Sequence, residues 1–172
     1  MNKSNLKSYA PQARKDFIAA VTARANLLGL SETAGTLEVA PAQTQGDVTV
    51  IAGQAWPAKV SGQRDQLIER IRKDGFAHTM EAVAYTWFNR FAALRYMELH
   101  DYLGHGHRAL SSTSGGLPDI LTHATDLTSE LPGLNAAKVT ELKLAGNRDG
   151  ELYRMLLVAQ CNELSRSMPF LF

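Results

Sequence analysis

The residues best equipped for chemistry are His100, His105 and His107, spaced His-x4-His-x-His. Imidazole nitrogens ligate zinc and other transition metals, and a site needs three or four of its ligands to converge. His100 falls at the end of a helical pattern, however, and the other two flank Gly106 in a turn. No carboxylate stands where it would orient them, so they read as structural histidines and not as a metal centre. Asp101 beside His100 makes a weaker acid–base pair still. Cys161 is the single cysteine, which excludes an intrachain disulfide. It lies in an apolar helical pattern without a histidine partner and reads as a small core residue.

A second group is aromatic and basic. Tyr85, Trp87, Phe88, Phe91, Tyr96 and Tyr102 are interleaved with Arg90 and Arg95. Such interleaving can stack and clamp nucleic acid. Here it has helical spacing, with Trp87 and Phe91 four apart, so core packing is the first reading. Arg95 and Glu98 are placed for an i,i+3 ion pair. Asn89 is the one short polar side chain ill suited to a helix interior. The first thirty residues carry Lys3, Lys7, Arg14, Lys15 and Arg24 against Asp16 alone, a local net charge of +4. Residues 110–172 carry a net of −2. The first reading is a solvated helix at each end, and the alternative is two different contact surfaces. Candidate contacts to DNA or to a partner are Arg14, Lys15, Arg24, Asn89 and Arg90. Catalytic, cofactor-binding and metal-ligating residues are expected to be none. There is no Gly-x-Gly-x-x-Gly, no phosphate-cradling loop and no His-Glu-x-x-His.

These residues need elements to hold them. At 172 residues the chain fits one domain, and 45% hydrophobic content suffices for an ordinary core. Eighteen basic against seventeen acidic side chains give no whole-chain signal for nucleic acid. No stretch approaches the roughly 20 apolar residues that span a bilayer, and the opening is polar and basic. A soluble cytoplasmic protein, with no membrane partner, is expected. Residues 10–28 form an amphipathic pattern with Pro11 in the first turn, Phe17, Ile18, Val21, Ala25 and Leu28 on one face, and Gly29 as the stop. Residues 36–57 alternate at Leu37 and Val39, then at Val48, Val50 and Ala52 with Ile51 on the opposite side. Gln45-Gly46-Asp47 reads as the turn between them. The expectation is a β-hairpin, with a third short strand ending at Trp56-Pro57, laid on helices because so small a ribbon cannot stand alone.

A helix follows over 62–73, with Leu67, Ile68 and Ile71 apolar and Asp74-Gly75 closing it. Residues 76–103 give the strongest helix, free of Pro and Gly from Thr79 or Met80 to Leu103, with Met80, Ala84, Trp87, Phe91, Leu94 and Glu98 in one stripe widened by Val83, Phe88 and Leu99. It is expected to be the central, buried one. After the breaker-rich loop 104–116 come short helices at 118–121 and 135–144, the latter capped by Asn135, and a last helix to about Ser167. Its core face is Leu152, Met155, Leu156, Ala159 and Leu164. The fold class is therefore mainly α: a multi-helix domain around a long central helix, with a small β-hairpin insertion.

The run Tyr85-Thr86-Trp87-Phe88-Asn89-Arg90-Phe91-Ala92-Ala93-Leu94-Arg95-Tyr96-Met97-Glu98-Leu99-His100 resembles the N-terminal region of the PglX-type DNA methyltransferases of BREX (bacteriophage exclusion) systems. The opening Tyr9 to Phe17 and the ending Gln160 to Phe172 resemble the same family. The resemblance implies an S-adenosylmethionine-dependent enzyme, much longer than this chain, that methylates adenine in host DNA and works with other BREX proteins in phage defence. Such enzymes hold the target base with an Asn- or Asp-Pro-Pro-aromatic motif, and this sequence has no Pro-Pro pair. The resemblance therefore implies a single N-terminal helical domain over 1–172. Residues 167–172, aromatic where a natural terminus is usually polar, would begin a linker to a methyltransferase domain beyond Phe172. The partners implied are the rest of that chain, other BREX proteins and DNA. S-adenosylmethionine would belong to the parent enzyme and no cofactor to this chain. The alternative is a stand-alone nucleic-acid-binding module using the basic first helix.

Overall fold

The computed structural model describes residues 3–172, and the Lys3 side chain counted above lies outside that description. Six helices dominate, in the order α1 Lys3–Leu27, α2 Lys59–Asp74, α3 Phe76–Leu99, α4 Asp119–Thr122, α5 Ala136–Ala145 and α6 Asp149–Ser167. Five four-residue strands lie between α1 and α2: β1 Leu30–Thr33, β2 Thr36–Val39, β3 Ala42–Gln45, β4 Val48–Ile51 and β5 Gln54–Pro57. The chain is thus mainly α. It divides into two compact units, Met1–Phe88 and Asn89–Phe172.

In the first unit, α1 starts seven residues earlier than its pattern predicts, and Pro11 sits inside it and not in its first turn. Residues 3–10 contain neither Gly nor Pro, so nothing stops the helix from running back from Pro11. The proline deletes one backbone donor, on a side of α1 that faces solvent. Among the described side chains of this helix, Ala13 and Ala25 are buried. Val21 and Leu28 pack beside a core of Ala25, Leu30, Ile68, Ile71, Phe76 and Met80, contributed by α1, β1, α2 and α3.

The strands correct the expected hairpin. β2 turns back onto β1, pairing Leu30 with Val39 and Thr33 with Thr36, and never meets the Val48 strand. The Gly46-Asp47 turn instead joins β3 to β4, with Gln45 opposite Val48, and β5 completes a three-stranded antiparallel sheet. β3 is Ala-Gln-Thr-Gln and exposed throughout, so no alternation advertises it. The inward face of β4 is also shifted by one residue. Thr49 and Ile51 are fully buried, whereas Val48 and Val50 remain 45% and 44% exposed. A one-residue slip exchanges the faces of any strand. Thr49 tolerates burial because its hydroxyl lies 2.8 Å from that of Thr44.

The junction of α1 with the strands explains that choice. Gly29 has φ +67°, and a Cβ there would stand 2.6 Å from the Ala40 Cβ and 3.2 Å from Ile51 Cγ2. Only glycine allows this turn and this approach. Ala40 N–H donates to Gly29 O at 2.8 Å. From α2, Arg64 reaches in at 4% exposure. Its Nε donates to Leu28 O at 2.7 Å and its Nη2 to Ala40 O at 2.5 Å. One guanidinium fork thereby ties the end of α1 to the end of β2.

In the second unit, α6 packs against α4 and α5 around Ile120, Leu127, Val139, Leu142, Leu152 and Leu156, all at most 1% exposed. Asn135 caps α5 by accepting from Lys138 N–H at 3.0 Å, as its sequence predicts. Cys161 is buried among this core, as expected, and burial pushes its thiol pKa up. α3 departs from a buried central helix. Met80, Ala84, Leu94 and Glu98 of its predicted stripe are buried, but Tyr85, Tyr96 and Leu99 are 67%, 58% and 52% exposed. Its burial is one-sided, and its residues are divided between the two units. It also stops at Leu99 and not at 103, with Asp101 turning the chain at φ +56°. Two buried carboxylates organise the loop beyond. Glu98 accepts from Leu110 N–H at 2.7 Å, from Ser111 Oγ at 2.9 Å and from Arg95. Asp119 accepts from Thr113 N–H at 3.2 Å through both oxygens.

Candidate functional site

The first unit contains a cleft of about 570 Å³ between α1 and α3. Ala10, Phe17 and Ile18 line it from α1, and Ala84, Tyr85 and Phe88 from α3. Helical spacing puts each set on one face, and the rings of Phe17 and Phe88 meet edge-on at 5.7 Å and 86°. The rim is charged. Arg14 pairs with Glu81, and His78 stands beside them. The Arg14 hydrogen bond and positive charge hold the Glu81 carboxyl below its ordinary pKa. An apolar trough with an ion pair at its edge suits an apolar side chain or helix face from a partner.

Of the five contact candidates, three lie on α1 and do different things. Arg14 is engaged with Glu81 across the cleft. Arg24 stacks over the Trp56 ring, 4.6 Å from its centroid. Lys15 is exposed. Asn89 and Arg90 are half-buried in the second unit, where the Arg90 charge acts on the Cys161 thiol. The three on α1 thus differ in their local surroundings, and the other two belong to the second unit. Arg95 does pair with Glu98, as its spacing predicts. The role of Arg64 is not legible in the sequence, because a lone arginine in a helical pattern reads as solvated.

The histidines also part company. His100 packs on Tyr96 and Tyr102, with ring centroids 4.4 and 5.5 Å away. His105 Nε2 lies 2.6 Å from Oε1 of the fully buried Gln160. His107 stacks instead on His123, centroids 4.1 Å apart and rings within 10° of parallel. His123 Nδ1 is in turn 3.3 Å from Asp126 Oδ2. Burial, then the neighbouring His123 and His105, push the His107 pKa down. The spacing His-x4-His-x-His thus fails to predict the real group. His123 is sixteen residues away from His107, and only the fold of the loop onto α4 joins them.

No family model matches the chain. Among curated proteins it is 45% identical, over its whole length, to the adenine-specific methyltransferase BrxX of Escherichia coli O9:H4 (strain HS), of which it covers 14%. It is 28% identical, again over its whole length, to the adenine-specific methyltransferase PglX of Lacticaseibacillus casei (strain Zhang), of which it covers 16%. The chain therefore spans only a small part of the length of these relatives. Throughout its 172 residues it resembles one segment of the BrxX and PglX adenine-specific methyltransferases.

Proposed function

We propose that this chain is a non-catalytic, N-terminal helical segment of a BREX-type adenine-specific DNA methyltransferase, serving assembly and partner contact within a phage-defence system. The observation that carries the reading is a full-length likeness to such enzymes in a sequence without their Pro-Pro motif. S-adenosylmethionine, the donor implied for the parent enzyme, needs a glycine-containing turn between a strand and a helix. Among the described residues the one strand-to-helix junction is β5 to α2, made by Pro57, Ala58 and Lys59 without a glycine. Every paired strand is antiparallel and four residues long, unlike the parallel sheets on which nucleotides are held at strand ends. The residues present do not fit the donor, so extraction of the target base and methyl transfer belong to other parts of the parent enzyme.

The cleft between α1 and α3 is the feature best suited to holding another protein segment, whether from the same enzyme or from another BREX component. Calorimetric titration of the chain with S-adenosylmethionine tests the reading. No saturable heat is expected, and saturable one-to-one binding would overturn it.

A further inference from the structure

We propose that His107, His123 and Asp126 form a binding site for a divalent first-row transition-metal ion, zinc being the natural choice of probe. Two imidazole nitrogens and one carboxylate oxygen from these residues lie within 4.8 Å of one another. Four-coordinate zinc, with bonds of about 2.0–2.1 Å, sets its ligand atoms about 3.3 Å apart. The difference is within reach of side-chain rotation, because the side chains of His123 and Asp126 are 45% and 67% exposed. Three of the five histidines of the chain, His105, His107 and His123, stand in one stack at this corner of the second unit.

Their occupations differ in a way that selects the ligands. His105 is used up: one ring nitrogen meets Gln160, and the other accepts from His107 N–H at 3.1 Å. The ring nitrogens of His107 have no hydrogen-bond partner among the described residues. His123 and Asp126 face each other with only a 3.3 Å contact between them. The backbone beneath is well fixed. His123 N–H donates to Asp119 O, Asp126 N–H donates to His123 O, each at 3.0 Å, and Asp119 is itself pinned by Thr113. Movement needed to close the site is thus confined to the side chains.

Donor chemistry decides the metal class. Two imidazoles with one carboxylate suit zinc, nickel, copper or iron, whereas calcium and magnesium require oxygen ligands. The rings of His107 and His123 are stacked nearly parallel, and a metal in the plane of both rings requires one of them to tilt out of the stack. The remaining coordination positions open to solvent.

Zinc titration of the 172-residue chain, read by calorimetry, and cobalt titration, read by visible absorption, test the site. One equivalent is expected to bind saturably, with cobalt giving d–d bands. His123→Gln and Asp126→Asn should each weaken binding by at least about tenfold, while His100→Gln should leave it unchanged. Both ligand variants alter exposed side chains, and melting in a chelator should match that of the parent chain. Absence of saturable binding, or affinity unchanged from the parent chain in His123→Gln and Asp126→Asn, would overturn the proposal.

Discussion

Glu98 shows how one side chain can be legible in the sequence and still be misjudged. Its i,i+3 spacing from Arg95 announces an ion pair, and the pair is present. The same position belongs to the apolar stripe of α3, and its side chain is fully buried. A carboxylate is stable there because Leu110 N–H and Ser111 Oγ complete its shell. Desolvation works to raise its pKa, but the Leu110, Arg95 and Ser111 bonds outweigh it and leave the group below its ordinary 4.5. A depressed folded pKa means that the ionised group stabilises the fold above about pH 4.5. That contribution disappears as pH falls through the folded value. Glu98→Gln keeps the shape and loses the charge. At pH 7 it should cost about 1.5–3 kcal/mol, the scale of hydrogen bonds to a charged group. The gap between parent and variant should shrink as pH drops from 5 towards 3. Denaturant titrations across that range measure it, and a gap independent of pH would contradict the account. Arg64 and the His107–His123 pair were less readable, because their roles exist only once distant segments meet.

Legibility at the scale of elements depended on whether the signal was local. The cap at Asn135, the turn at Gly46-Asp47 and the stop at Gly29 all appear where their chemistry demands. β1 and β3 were missed, and with them the pairing, because neither shows an apolar alternation: β1 is Leu-Ser-Glu-Thr and β3 is Ala-Gln-Thr-Gln. The hairpin turns were hidden for a different reason. β1–β2 and β4–β5 both turn through Ala-Gly, with φ +50° and +78° at Ala34-Gly35 and +49° and +78° at Ala52-Gly53. Two positive φ angles match the tight turns that favour Asn-Gly or Asp-Gly. Alanine pays for the left-handed region with a Cβ clash that asparagine offsets by hydrogen bonding locally. Ala34 and Ala52 are exposed, so a larger side chain meets nothing. Ala52→Asn is therefore expected to stabilise the chain by about 0.5–1 kcal/mol. Thermal melting should show a rise in Tm, and a fall would mean that the turn is not of this type.

The whole molecule carries little net charge, +1 on 172 residues, and two of the basic residues at its start, Arg14 and Arg24, are engaged within the fold. No helix of the described residues is long and apolar enough to cross a membrane. Affinity for duplex DNA rests largely on phosphate neutralisation, and each phosphate neutralised adds about −0.9 to the slope of log affinity against log salt. A module that read DNA through its first helix would need Arg14, Lys15 and Arg24 together. Arg14 is instead paired with Glu81, and Arg24 lies over the Trp56 ring. Withdrawing either arginine to a phosphate would break an intramolecular contact and cost part of the energy gained. The 172-residue chain is therefore expected to bind duplex DNA only in the non-specific range, with a dissociation constant of roughly 10⁻⁴–10⁻⁶ M or weaker at physiological salt. Fluorescence anisotropy at two salt concentrations would measure this. Tight binding with a slope of about −3 or steeper, reduced in Arg14→Gln and Arg24→Gln, would instead make the first helix a DNA-contacting surface and restore the nucleic-acid reading.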